Sequence, residues 1–537
     1  METQYLDALV VGAGFGGIYQ LKKLLAQGLN VKAIDMADDV GGTWYWNHYP
    51  GAMSDTQSVL YRYSWDLEDL KTYPWGEHYL QGPEILQYLR HVVQKYDLRK
   101  HFEFNTELLS AQWDDDERRW VVVLSTNKVL RVKYLITALG LLSKTNFPQI
   151  RNLDKYEGEL YHTARWPDNV DLKGKRVGVI GNGSTGVQLI TATAKANEVK
   201  QLLSFQRNPQ YSVPAGNGAV SAEHRKQIND TYEEIWDQAK NSLFAYGFPE
   251  STRPTFSVTP EEREQIFEDA WQKGNGFRFM FATFSDITVN EEANKVAADF
   301  IRNKIRQTVK DPEKAEKLCP TEFYARRPLC DTGYYEQFNR DNVDVVDIKK
   351  NPIAEFTSKG IKTADGKIYE LDVVICATGF DAVDGNYTRI AIKGRNGETL
   401  RDHWSETGPT SYLGICVPNF PNLFMITGPN GPFSNLPPAI ECHVEIISGL
   451  VSTAEKNGHM PQHGIIEAEP QVEKDWTDLC DQLSSRSLFR RIESSWIFGA
   501  NVPGKKAVTM FWFGGLGAYR KKVQEILNDD MRGFKPV

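Results

Sequence analysis

Two stretches of the chain repeat one order of apolar and polar positions. Leu6 to Val11 is a short apolar run, and Gly12-Ala13-Gly14-Phe15-Gly16-Gly17 follows it. Ile18, Leu21, Leu24 and Leu25 then recur at helical spacing, Gly28 marks the exit, and Val31 to Ile34 is a second apolar run ending at Asp35. This predicts strand, glycine turn, helix, strand. The same order returns with Val177 to Ile180, the loop Gly181-Asn182-Gly183-Ser184-Thr185-Gly186, a helix through Val187 to Ala194, and a strand from Leu202 to Phe205 before Arg207. A single repetition is not a solenoid. It predicts an α/β chain with two Rossmann-like dinucleotide-binding domains.

Between about residues 220 and 325 the period changes to that of helices. Ile228, Tyr232, Ile235, Trp236, Ala239 and Leu243 form one amphipathic stripe. Thr259-Pro260-Glu261-Glu262 reads as a capping box with proline at the first helical position, and Asn290 and Asp311-Pro312 as further helix starts. This is a helical insertion. Asn342 to Ile348 and Leu371 to Cys376 return to strand-like patterns, and the remainder mixes strands, proline-rich turns and aromatics.

Composition narrows the class. At roughly 150 residues per domain, 537 residues suggest three or four units, and 41% apolar residues allow a large soluble core. The net charge of -8 argues against nucleic acid, which needs a basic surface. No apolar run approaches the ~18–20 residues that span a bilayer, so no membrane is expected. Met1 to Tyr5 runs straight into a strand without a signal peptide, and Lys535-Pro536-Val537 is no peroxisomal address. A cytoplasmic location is expected. The six cysteines, 319, 330, 376, 416, 442 and 480, are scattered and form no C-x-x-C, which predicts free buried thiols. The ten histidines show no ligand spacing, so no metal is expected.

The glycine loops have a physical reading. In each, the first glycine makes the tight turn, the second admits a pyrophosphate against the backbone, and the third lets helix and strand pack closely. Gly12, Gly14 and Gly17 have Asp35 at the next strand end, where an acid accepts hydrogen bonds from ribose hydroxyls. Gly181, Gly183 and Gly186 have Arg207 there instead. A guanidinium pairs with a 2′-phosphate that an acid would repel, so the second nucleotide is expected to be NADPH rather than NADH; the competing reading is a plain surface arginine. Flavin and nicotinamide dinucleotides both present an ADP half, so spacing leaves open which loop holds which.

Two further segments carry chemistry. Gly41-Gly42-Thr43-Trp44-Tyr45-Trp46-Asn47-His48-Tyr49-Pro50-Gly51-Ala52-Met53-Ser54-Asp55 sets glycines beside large aromatics, which suits a flat ring as well as ordinary core. Tyr156-Glu157-Gly158-Glu159-Leu160-Tyr161-His162-Thr163-Ala164-Arg165-Trp166-Pro167 stands just before the second nucleotide unit. Together they resemble the paired signatures of type I Baeyer–Villiger monooxygenases, with Tyr156 where that family usually has Phe. Trp166 separates the chain from flavin monooxygenases of amines and sulfides, which usually carry Tyr there. The resemblance runs over nearly the whole chain and includes Arg327-Pro328-Leu329-Cys330-Asp331, Ala377-Thr378-Gly379-Phe380-Asp381 and Ser495-Trp496-Ile497-Phe498-Gly499.

The resemblance implies FAD on the first loop, beside Gly42, Thr43 and Trp44, and NADPH/NADP+ on the second, with Ser184 and Thr185. It implies an FAD-binding domain over 1–143 and 384–537, an NADPH-binding domain over 144–210 and 333–383, and the helical insertion over 220–332. NADPH reduces FAD, O2 adds at the flavin C4a, and the peroxyflavin attacks a ketone, cyclic ketones such as cyclohexanone included. An ester or lactone forms and the second oxygen atom leaves as water. Arg327 matches the arginine that stabilises this anion, and Asp55 the carboxylate that holds the arginine and also borders the cofactor. Arg326 stands where the family usually has lysine, reaching the 2′-phosphate with Arg207, and Trp496 matches a tryptophan beside NADP. His162 matches a conformational linker. Leu142, Phe277, Phe433, Leu436 and Phe511 are the expected ketone pocket. A monomer is expected. The alternatives are a flavin monooxygenase of amines or sulfides and a non-catalytic flavin-binding redox sensor.

Overall fold

The protein is described by a computed structural model covering residues 4–456, 464–529 and 531–535. Met1 and the Pro536-Val537 end, read above for targeting signals, lie outside the described residues. The Gln4–Val11 strand is exposed at its start and buried from Ala8 onward. That burial follows from its neighbours, because Val31–Ile34 pairs with it in parallel on one side and Val129–Thr137 on the other. The first sheet runs Ala391–Lys393, Leu108–Asp114, Arg119–Leu124, Val129–Thr137, Gln4–Val11, Val31–Ile34, Phe102–Glu103, with Leu423–Met425 added in parallel along Val129–Thr137. Segments after residue 384 thus complete a sheet begun by the first eleven.

The second sheet is wholly parallel, in the order Val343–Asp347, Gln201–Gln206, Arg176–Ile180, Val373–Cys376, Glu159–His162. Its strand at 176–180 ends at the second glycine loop, as the strand at 4–11 ends at the first. Ligands of such sheets bind beyond the carboxyl ends of the strands. The chain crosses from the first sheet to the second after Thr137 and back after Cys376. The two crossing segments are bonded to each other: Asn146 N–H donates to Gly379 O and Asp381 N–H to Lys144 O, both at 2.9 Å.

Helices fill the chain from Ala222 to Leu318. The Ile228–Leu243 stripe is not one helix. It divides into Ala222–Asp230 and Tyr232–Asn241, because Thr231 leaves helical geometry at φ -126°, ψ 23°. Tyr232, Trp236 and Ala239 are buried as the stripe predicts, but Leu243 lies beyond the helix and is 48% exposed. The capping box at Thr259 forms by half. Its hydroxyl accepts from Glu262 N–H at 3.2 Å, but the Glu262 carboxylate accepts from Arg253 at 2.7 Å instead of turning back to the cap. Asn290 and Asp311 cap as expected. All six cysteines are free and buried. Among the described residues no helix is long and apolar enough to cross a membrane.

Candidate active site

The two glycine loops open onto one cavity of about 1100 Å³. A Cβ on Gly12 would stand 2.3 Å from the carbonyl oxygen of Ala138, and one on Gly181 2.4 Å from that of Ala377, so both first glycines are obligatory for the turn. Gly17 and Gly186 do not line the cavity. They sit behind its wall, each against the carbonyl of its own first glycine, which is the close packing expected of third glycines. Gly183 faces open space.

The helices that leave the loops, Phe15–Ala26 and Ser184–Ala196, differ from those of the insertion. Each starts on a glycine with no acid in its first turn. Ser221, Thr259, Asn290 and Asp311 cap four of the insertion helices with side-chain oxygens. A helix start leaves several N–H groups without partners and carries a partial positive charge. At the two loops those groups remain for phosphate oxygens, and the cavity's residues therefore fit two dinucleotides. Asp35 is fixed by accepting from Ala13 N–H at 2.7 Å and Ala37 N–H at 2.8 Å. Burial raises its pKa, and these backbone donors oppose that. Arg207 is exposed at the rim, and among the described residues it has no acceptor.

Between the loops runs the segment from Gly42 to Asp55. Gly42, at φ 54°, brings its backbone against Gly14, where a Cβ would lie 2.8 Å from the Gly14 Cα. Thr43 and Trp44 line the cavity, and Trp44 donates from Nε1 to the Tyr61 hydroxyl at 3.1 Å. Tyr49 donates to Gln188 Oε1 at 2.7 Å, and Gln188 Nε2 to Met53 O at 3.0 Å. These bonds dock the segment on the second nucleotide helix. Asp55 is thereby placed so that Ser184 Oγ donates to its Oδ2 at 3.3 Å.

Arg327 closes the site. Its Nη1 donates to Asp55 Oδ2 at 2.7 Å and to Pro328 O at 3.0 Å, and its guanidinium lies 5.1 Å over the Phe277 ring. Burial opposes the charge, but Asp55 outweighs it, and the guanidinium holds its proton more firmly than usual. Among the described residues no acceptor meets its Nε or Nη2. The five expected pocket residues, Leu142, Phe277, Phe433, Leu436 and Phe511, all line the same cavity, and Phe433 meets Phe511 edge-on at 5.5 Å. Trp496 lines it too, edge-on to Phe511 at 6.0 Å.

Two expected residues stand apart. Arg326 reaches the cavity, but its guanidinium is taken up by Glu322 at 2.7 Å and by Glu493 O at 3.0 Å. His162 does not line the cavity. It is buried at the end of its strand, with its ring 4.9 Å from Phe147 and 6.4 Å from Phe380, between the two crossing segments. Burial and then Arg165 push it down to about 4, so it is neutral at pH 7.

Sequence reasoning missed Asn275 and Tyr246. Tyr246 lines the cavity and stacks on Phe277 at 4.0 Å. The aromatic run Phe244-Ala245-Tyr246-Gly247-Phe248 was its signal, hidden inside a stretch read as helical.

Two glycine loops opening on one cavity, with the Arg327–Asp55 ion pair on its wall, define a two-dinucleotide oxidoreductase. A family model described as FMO-like, flavin-binding monooxygenase-like, matches residues 7–211. Cyclohexanone 1,2-monooxygenase of Acinetobacter sp is 51% identical over 98% of this chain and 96% of its own length. The crystal structure of cyclohexanone monooxygenase from Rhodococcus sp. Phi1 bound to NADP+ superposes with a TM-score of 0.97 at 54% identity, covering 99% of both chains. The chain belongs to the Baeyer–Villiger monooxygenases, FAD- and NADPH-dependent enzymes that oxygenate ketones. A phenazine N-monooxygenase of Lysobacter antibioticus is also similar, 47% identical over 99% of this chain and 97% of its own.

Proposed function

We propose that this protein converts a cyclic ketone into a lactone, taking two electrons from NADPH and one oxygen atom from O2, while the other oxygen leaves as water. The observation that carries the reading is the Arg327–Asp55 contact of 2.7 Å on the wall of a cavity shared by both glycine loops. The loop at Gly12, Gly14 and Gly17, with Asp35, Gly42, Thr43 and Trp44, holds FAD. The loop at Gly181, Gly183, Ser184, Thr185 and Gly186 holds NADPH. The flavin, reduced by NADPH, supplies the activation of oxygen.

The chain's own part is electrostatic and steric. Negative charge builds at oxygen during the reaction, and the free N–H groups of Arg327 meet it without giving up a proton. Asp55 fixes the guanidinium from behind. Arg207 takes the 2′-phosphate, and Arg326 joins it by exchanging Glu322 for phosphate. Trp496 covers the site and, with Phe433 and Phe511, excludes water. Leu142, Phe277 and Leu436 complete an apolar pocket for the ketone ring. His162 transmits movement between the crossing segments.

The test is a product assay with NADPH over cyclic, linear and aromatic ketones, cyclohexanone among them. Lactone is expected, and normal flavin content with no ester or lactone from any ketone would overturn the reading. A second reading, N-oxygenation, is favoured by the likeness to the phenazine N-monooxygenase. That oxygen transfer is electrophilic and needs no anion-stabilising arginine, so amine turnover that survives Arg327→Ala marks it. The same proposal has a monomeric, cytoplasmic enzyme, which light scattering and cell fractionation check.

A further inference from the structure

Asn275 is 2% exposed and stands at φ 80°, ψ 115°, a backbone conformation that residues with side chains rarely adopt. Every polar atom of its side chain is used. Oδ1 accepts from Phe277 N–H at 2.9 Å and Arg278 N–H at 3.2 Å, capping the Gly276–Phe281 helix that carries Phe277. Nδ2 donates to the backbone oxygen of Asp55 and to the Tyr79 hydroxyl, both at 3.0 Å.

Its backbone reaches the other half of the charged pair. Asn275 N–H donates to Pro214 O at 2.7 Å, and Ser212–Pro214 pairs in parallel with Leu329–Asp331, the strand that follows Arg327. The next residue packs on that strand as well: a Cβ on Gly276 would lie 2.4 Å from Leu329 O. Asn275 and Gly276 together thus touch the segment bearing Asp55, the helix bearing Phe277 beneath the guanidinium, and the strand that follows Arg327.

We propose that Asn275 is a positioning residue for the oxygenation step: its Nδ2 bond to the Asp55 backbone fixes the carboxylate against Arg327 and so aims the guanidinium into the cavity. The inference rests on the ketone-oxygenating reading above. Asn275 itself does not line the cavity. Without its donor, Asp55 loses its place. The guanidinium then follows a mobile partner, and the reacting oxygen is met less often in productive geometry.

In Asn275→Asp the ionised carboxylate keeps the oxygen that caps the helix but cannot donate to Asp55 O, whereas its protonated form can, so the loss should deepen as pH rises. Tyr79→Phe is the control, removing the other acceptor while leaving the bond to Asp55. Wild type and both variants are assayed with cyclohexanone for lactone per NADPH consumed, hydrogen peroxide, flavin content and melting temperature. The expected result for Asn275→Asp is about a tenfold loss of lactone per NADPH, with peroxide rising in step, as suits one lost buried hydrogen bond. Flavin content and the KM for NADPH stay within twofold, and Tyr79→Phe stays near wild type. Wild-type coupling in Asn275→Asp overturns the proposal. So does a loss of flavin or of melting temperature that accounts for the lost coupling, or an equal loss in Tyr79→Phe. Failure of the underlying reading is distinguishable, since the wild type would then yield no lactone at all.

Discussion

Gly51 lies so close to Gln188 that a Cβ there would stand 2.7 Å from the Gln188 carbonyl oxygen and 2.8 Å from the Ala192 Cβ. Its φ of 83° is also in the left-handed region. This glycine lets the segment carrying Asp55 rest on the second nucleotide helix. Gly51→Ala meets both backbone strain and overlap with backbone that cannot rotate away, which together cost about 2–4 kcal/mol. The expected outcome is a melting temperature lower by several degrees and weaker NADP+ binding by calorimetry, with FAD content preserved. An alanine variant with wild-type melting and NADP+ affinity would show that the contact is loose.

Arg327 should decide what becomes of the oxygen rather than whether NADPH is consumed. Arg327→Ala is expected to lower lactone formation about 10²–10³-fold, the range for losing one donor to a developing oxyanion. NADPH oxidation continues, with hydrogen peroxide as the product. Arg327→Lys keeps a charge but not the planar fork that reaches Asp55 and the cavity together, so it recovers only part of the loss. Oxygen uptake, peroxide and lactone measured side by side give the partition, and lactone formation unchanged in the alanine variant would sink the assignment.

The parts of this molecule written in local order were legible in the chain. Both glycine loops, their flanking strands and the caps at Asn290 and Asp311 depend on residues a few positions apart, where turn and cap chemistry act directly. What failed locally failed to a competitor from elsewhere. Glu262 was drawn from the capping box by Arg253, whose position nine residues upstream lies outside the cap's own pattern. The role of Asn275 was invisible because its partners, Asp55 and Tyr79, come from distant chain that only the finished fold delivers. The Arg327–Asp55 pair was reached through resemblance, since nothing in the spacing of residues 55 and 327 predicts a contact.

Cofactor choice should turn on the two rim arginines unequally. Arg207 is exposed with no acceptor among the described residues, whereas Arg326 is held by Glu322. Arg207→Ala should raise the KM for NADPH about 10–100-fold, as suits a lost charge-assisted contact, and leave NADH little changed. Glu322→Gln removes the competing carboxylate and should tighten NADP+ binding by a few-fold. Titration with NADP+ and with 2′,5′-ADP, followed by tryptophan fluorescence, reads both effects. Equal loss for NADPH and NADH in Arg207→Ala would mean that the arginine does not meet the 2′-phosphate.

Buried His162 makes the fold sensitive to mild acid. Burial and the nearby Arg165 push it from an ordinary 6.5 to about 4. Between those values the unfolded chain binds a proton and the folded chain does not, so stability is lost as pH falls through this window. From pH 7.5 to pH 5 the loss from this one group is about 2 kcal/mol, and by pH 4 it approaches 3 kcal/mol. His443, pushed down to about 3 by burial, adds a loss of the same sign. His403 runs the other way: burial lowers it, but Glu473 and Glu398 outweigh burial and raise it, so its contribution is present at low pH and fades as pH rises. His162→Asn removes only the first of these. Its melting temperature should therefore fall less than that of wild type between pH 7.5 and 5, while at pH 7.5 any loss of packing between Phe147 and Phe380 appears as a constant offset. A variant whose melting curve tracks wild type in parallel across the whole window would mean that His162 takes up its proton in the folded chain as readily as in the unfolded one.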